Sequence, residues 1–139
     1  MTDNSVSVNM LKRSEGNYNA AMLLLEKRNY DGSAVAFYYS VLQRMMYALN
    51  EAEKRPLPYE SQNPLNEELH HKILREVINR IGNKKQEDDF EELFEALFNL
   101  RKKADYSMET ISQDEGAECR ALYEKLIARL DRFFPVRAA

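Results

Sequence analysis

The segment Leu100-Arg101-Lys102-Lys103-Ala104-Asp105-Tyr106 gathers a guanidinium, two ammonium groups, a carboxylate and a phenol into less than two helical turns. Arg101 falls four residues after Leu97 and seven after Phe94, so on a helix it projects from the apolar stripe. Asp105 follows one turn later, within side-chain reach. A charge at a core-facing position has to be paired, because isolated burial is very costly. Two chemistries fit this pattern. One is a structural Arg–Asp pair, internal or across an interface, whose disruption costs about 3 to 5 kcal/mol if burial is deep. The other is a binding site in which the planar donor fork of Arg101 holds a phosphate, with Lys102, Asp105 and Tyr106 around it.

Acid–base chemistry has a different address. His70 and His71 are the only histidines, and histidine is the side chain whose ordinary pKa suits proton transfer near neutral pH. Tyr106 titrates ordinarily near about 10, and Arg101 stays protonated, so neither shuttles a proton. The candidate catalytic residues are therefore His70, for proton transfer, and Arg101, for stabilising phosphate charge. Against this, His70 opens an apolar stripe (Ile73, Leu74, Val77), where a helical histidine is typically a hydrogen-bonded core residue. Adjacent histidines point about 100° apart on a helix, unlike an i, i+4 pair, so no metal site is expected. Tyr18, Tyr38, Tyr39 and Tyr47 resemble a base-stacking surface. At helical spacing they equally suit core or dimer contacts. Arg44, Arg101, Lys102 and Lys103 could form a local anion-binding patch or a solvated face.

The elements that position these groups are helices. Gly and Pro are few, and strand-like alternation is nowhere sustained. The periodicity predicts a helix over about Val8 to Arg28, a turn at Asn29 to Ser33 with Asp31 as N-cap, and a second helix containing AVAFYYSVLQRMMYAL (Ala34 to Leu49). A surface loop is expected from Lys54 to Asn66, where prolines exclude helix. A third helix carries His70 to Ile81 and ends at Gly82. Lys84 to Asp89 links it to a fourth with Phe90, Leu93, Phe94, Leu97, Leu100 and Ala104 on its core face. Ser112 and Glu115 form a capping box for the last helix, which Pro135 stops. The expected fold is all-α: an up-and-down helical bundle of four main helices and a shorter fifth, one domain over residues 1–139 with its core at about 8–134.

Only Ser40, Gln43 and Arg44 are polar between Ala34 and Leu49, forming one narrow stripe. Phe37, Tyr38, Val41, Met45, Ala48 and Leu49 make one apolar face. Val35, Tyr39, Leu42 and Met46 make a second. One small chain covers one such face easily; covering both suggests a homodimer through the second.

The totals narrow the class. Net charge is −3, with 20 basic and 23 acidic residues, so there is no global basic footprint for nucleic acid. A single cysteine, Cys119, cannot make an internal disulfide and suits a reducing compartment. Neither an apolar signal core nor a membrane-length apolar run is present, and a cytoplasmic protein without a membrane partner is expected.

The order of pieces resembles the HEPN domain (higher eukaryotes and prokaryotes nucleotide-binding). The resemblance runs through AAMLLLEKRNYDGSAVAFYYSVLQRMMYAL, with its tyrosine–aspartate turn before an aromatic, Ala-rich helix. It continues with Leu69-His70-His71 opening a helix, LRKKADY, and an Ile-Ser link to the last helix, covering about Lys12 to Phe134. It implies a helical bundle that commonly dimerises and that, in many members, is a metal-independent ribonuclease, often a toxin encoded beside a minimal nucleotidyltransferase antitoxin. Ribonuclease members place a catalytic histidine shortly after the Arg. Here Tyr106, Ser107 and Met108 hold those places and Lys102 follows Arg101. Only Arg101 carries over. The chain resembles the branch ending Arg-x-x-x-Asp-Tyr, for which ribonuclease activity is not implied. The expectation is a dimeric, non-catalytic HEPN-like module with no cofactor, partnered with a nucleotidyltransferase, RNA or a nucleotide. The alternatives are a toxin-type ribonuclease using Arg101 with a displaced histidine, and a purely structural dimer.

Overall fold

The Ala34 to Leu49 stretch is the centre of the fold, and every other helix packs on the helix that contains it. In this computed structural model residues 2–53 and 66–136 are described, with side chains over 8–52 and 66–136. Among them are α1 (Thr2–Glu26), α2 (Tyr30–Glu53), α3 (Glu67–Asn79), α4 (Lys84–Tyr106) and α5 (Gln113–Phe133), and no strand. The architecture is the expected helical bundle, with α3 the short member. The expected loop from Lys54 falls outside the described residues up to residue 65, and Asn66 is the N-cap of α3.

The core runs along α2: Phe37, Tyr38, Val41, Met45 and Leu49 are fully buried, against Ile73 and Val77 of α3, Phe94 and Leu97 of α4 and Leu126 and Leu130 of α5. The second face behaves differently from the dimer expectation. Leu42 and Met46 are already covered within one chain, leaving only Val35 and Tyr39 half-buried. The polar stripe is also enclosed. Ser40 and Ser14 each donate a hydroxyl to the other's carbonyl at 2.7 Å, and Ser40 reaches Tyr123 at 3.2 Å. Asn17 donates to Gln43 at 2.7 Å. Ser40 and Gln43 therefore make a seam against α1 and α5 inside the protein, and Arg44 joins it through Nη2 to the end of α5 while its Nη1 has no hydrogen-bond partner among the described residues.

Helix ends moved where local chemistry competed. α1 stops at Glu26, two residues before Arg28. The amide of Asn29 donates to Leu24 and that of Arg28 to Leu25, a Schellman closure with Arg28 at φ 64°. An arginine gives no sequence signal for that left-handed position. The N-cap of α2 is Asn29, whose side chain accepts the Gly32 amide at 3.0 Å. Asp31 instead accepts the amide of Ile111 at 2.7 Å, tying the α4–α5 link to the start of α2. α3 ends at Asn79 with Arg80 as C-cap, earlier than the expected stop at Gly82, whose φ of 78° serves the turn that follows. The expected Lys84 to Asp89 link is the first turn and a half of α4, because Asn83 caps it by accepting the Gln86 amide. The capping box at Ser112 and Glu115 is present in full.

Candidate functional site at the end of α4

Arg101 is the largest fully buried side chain in the protein's described residues. Three helices meet around it: the last turns of α4, the first turn of α3, and the middle of α2. Its Nη1 donates to Asp105 Oδ2 and to the Tyr106 hydroxyl, both at 3.4 Å. Nη2 stands 3.6 Å from Glu67 Oε2, an ion pair too long for a hydrogen bond. The guanidinium carbon lies 4.7, 5.0 and 5.8 Å from the ring centres of Tyr38, Phe98 and Tyr106, within cation–π range. Nε and Nη2 have no hydrogen-bond partner among the described residues. Lys102 Nζ joins from the rim, 3.6 Å from Glu67 Oε1 and 5.5 Å from the Phe98 ring centre.

Helical spacing explains this geometry. Phe98, Arg101, Lys102, Asp105 and Tyr106 sit at steps of three, four and one on α4, so they share one face. Burial works against the charge of Arg101, but facing Tyr38 and Tyr39 and the bond to Asp105 outweigh it and raise its pKa. The site therefore keeps a permanent cation. Asp105, expected as a buried partner, lies on the exposed rim. A contact of 3.4 Å to a hydrated carboxylate is a weak pair, so the deep-burial cost does not apply.

The fold brings His70 to the same cluster, with Tyr38 between. His70 is completely buried, its Nδ1 2.8 Å from the Tyr38 hydroxyl. Burial raises the Tyr38 pKa far above its ordinary range, with Arg101 only partly opposing. Burial likewise pushes Tyr39 up to about 12, again against Arg101. Neither phenol is a base at neutral pH. His71 points elsewhere: Nδ1 meets the Glu67 carbonyl at 3.0 Å, Nε2 meets Glu95 at 2.7 Å, and the ring stands edge-on to Phe98.

Of the two readings of Arg44, Arg101, Lys102 and Lys103, the single anion-binding patch does not assemble. Lys103 binds Glu115 at 2.9 and 3.1 Å, and Arg44 caps the far end of α5. The four tyrosines do not form one stacking surface either: Tyr18 stacks on Tyr123, Tyr38 faces Arg101, and Tyr47 lies under Arg44. Cys119 is buried, and burial pushes its thiol up to about 12, which removes it as a nucleophile. Among the described residues no three His, Cys, Asp or Glu side chains converge to hold a metal, and no helix is long and apolar enough to cross a membrane. Beside Tyr39 a groove of about 510 Å³ runs between α1, α2 and the end of α4, with Leu24, Val35, Ala104 and Asp105 in its walls.

Sequence reasoning found Arg101, Lys102, Asp105 and Tyr106 as a group and missed Glu67 and Phe98. Phe98 was legible, three residues before Arg101 on the same helix. Nothing local connects Glu67 with Arg101. Comparison of the chain with known proteins returned no matching family model, no matching curated protein and no matching solved structure.

Proposed function

We propose that this protein is a non-catalytic, HEPN-like helical module in which Arg101 anchors the phosphate of a nucleotide or RNA. One observation carries the proposal: Arg101 keeps a permanent cation, and Tyr38, which contacts both, stands between it and the His70 imidazole. His70 is sealed in the core and bonded to Tyr38, whereas cleavage needs an acid–base group at the phosphate itself. A homodimer and a minimal nucleotidyltransferase partner rest on the family resemblance. For the dimer, half-buried Val35 and Tyr39 beside the groove are what the same chain leaves open of the second apolar face of α2.

The second reading, a metal-independent ribonuclease using Arg101 with His70, draws on Tyr38, which contacts both. A cleavage assay on single-stranded RNA, with and without a divalent metal, separates the two. The purified protein is expected to leave RNA intact above background. Cleavage that survives purification and disappears in both Arg101→Ala and His70→Ala would overturn the non-catalytic reading.

A further inference from the structure

Among the described residues, Glu67 is the one carboxylate that spans both Arg101 and Lys102. Its Oε2 lies 3.6 Å from Arg101 Nη2 and its Oε1 lies 3.6 Å from Lys102 Nζ. Charge-assisted hydrogen bonds close to about 2.7–2.9 Å, so both contacts are loose. Arg101 meanwhile keeps Nε and Nη2, the two nitrogens on the Glu67 side of its fork, without a hydrogen-bond partner although it is completely buried. A guanidinium with five donors, buried and under-bonded, gains by exchanging a distant carboxylate for an anion that reaches it. Glu67 is itself replaceable: its side chain is one-third exposed and, in the first turn of α3, it remains hydrated when released.

We propose that Glu67 is a built-in surrogate for phosphate, occupying the gap between Arg101 and Lys102 until a phosphate group displaces it. The proposal rests on the reading of Arg101 as a phosphate anchor and adds the residue that limits access to it. Asp105 and the Tyr106 hydroxyl hold Nη1 from the other side and stay in place. The bidentate edge formed by Nε and Nη2 is then the part of the fork that receives the ligand. Lys102, released from the same carboxylate, becomes the second cation. Glu67 thereby sets the threshold affinity of the site and rejects weak anions, because any ligand has to outcompete an attached carboxylate.

The test is a calorimetric titration of the folded full-length protein at low ionic strength with three probes: inorganic phosphate, AMP and a short oligouridylate. Glu67→Gln is compared with the unaltered protein and with Glu91→Gln, which removes the same charge about 15 Å away along α4. Glu67→Gln is expected to tighten binding about tenfold, from loss of one competing charge at short range, and Glu91→Gln to change it less than about twofold. Adding Lys102→Gln to Glu67→Gln should forfeit part of the gain without disturbing the core, and adding Arg101→Met should abolish it. A gain with all three probes assigns recognition to the phosphate alone; a gain confined to the oligouridylate assigns it to the nucleic-acid backbone, and either supports displacement. Binding by the unaltered protein that Glu67→Gln leaves unchanged, or alters no more than Glu91→Gln does, overturns the role of Glu67 and spares the Arg101 reading. Absence of binding in both proteins, with thermal melts showing both folded, overturns the two together.

Discussion

Arg44 and Arg101 are both buried, and both stack on aromatic rings, but they are held by different kinds of partner. Arg44 Nη2 donates to the carbonyl of Phe134 at 2.5 Å and to that of Leu130 at 3.4 Å, with Asp131 at 3.2 Å. The Phe134 carbonyl lies just past the last turn of α5, where no further turn supplies a donor, and the Leu130 carbonyl also accepts the Phe134 amide at 2.7 Å. The charge also suits the negative end of the helix dipole. Backbone partners of this sort cannot leave without unwinding the helix. Among the described residues Arg101 has no backbone partner. Its neighbours are the side chains of Asp105, Tyr106 and Glu67 at 3.4–3.6 Å, with Tyr106 at the surface and the two carboxylates partly exposed. The lesson is that burial alone does not separate a structural arginine from a binding one. The ability of its partners to move away does.

The largest expected effect breaks the comparison at Arg44. Arg44→Met removes three charge-assisted bonds at the end of α5, to Phe134, Leu130 and Asp131, and should lower stability by about 3 kcal/mol, measured as a shift of the urea midpoint. A loss below about 1 kcal/mol would place Arg44 with Arg101 and remove the contrast. Arg101→Met should cost less, about 1–2 kcal/mol, despite its greater burial. It forfeits cation–π contact with three rings, while Glu67 and Asp105 remain hydrated. In a double-mutant cycle with Asp105→Asn the coupling should stay below about 1 kcal/mol. A coupling of about 3 kcal/mol or more would restore the deeply buried pair that the spacing suggested.

The smallest effect comes from a reference pair two residues further along α4. Lys103 holds Glu115 at 2.9 Å, far tighter than Arg101 holds Glu67. The Ser112 amide first, and Lys103 second, lower the Glu115 pKa. A lowered carboxylate pKa contributes stability above its unfolded value, about 4.3, and loses it as pH falls through the folded value. The melting difference between the unaltered protein and Glu115→Gln should therefore be full at pH 6 and shrink on acidification below about pH 4. A difference independent of pH would show that Glu115 acts through its cap geometry and not its charge.

Features settled within one or two turns were legible in the sequence. The capping box at Ser112 and Glu115, the apolar stripes, and the placement of Arg101 and Asp105 on a shared face all follow from bonds and spacings inside a single helix. Periodicity also separates apolar from polar faces, which is why an all-α bundle centred on Ala34 to Leu49 could be read directly. Tertiary structure decided what each face meets. The Ser40, Gln43 and Arg44 stripe resembles a solvent face until Ser14, Asn17 and the end of α5 supply its partners. Leu42 and Met46 resemble a dimer face until the same chain covers them. His70 comes within one side chain of Arg101, and Glu67 bridges Arg101 and Lys102, across gaps of more than thirty residues. Crossing angles and helix offsets fix those meetings, and they arise from how whole surfaces of side chains interdigitate. No local pattern encodes them, so the candidate site was half visible: its cation from sequence, and the carboxylate that guards it from the fold.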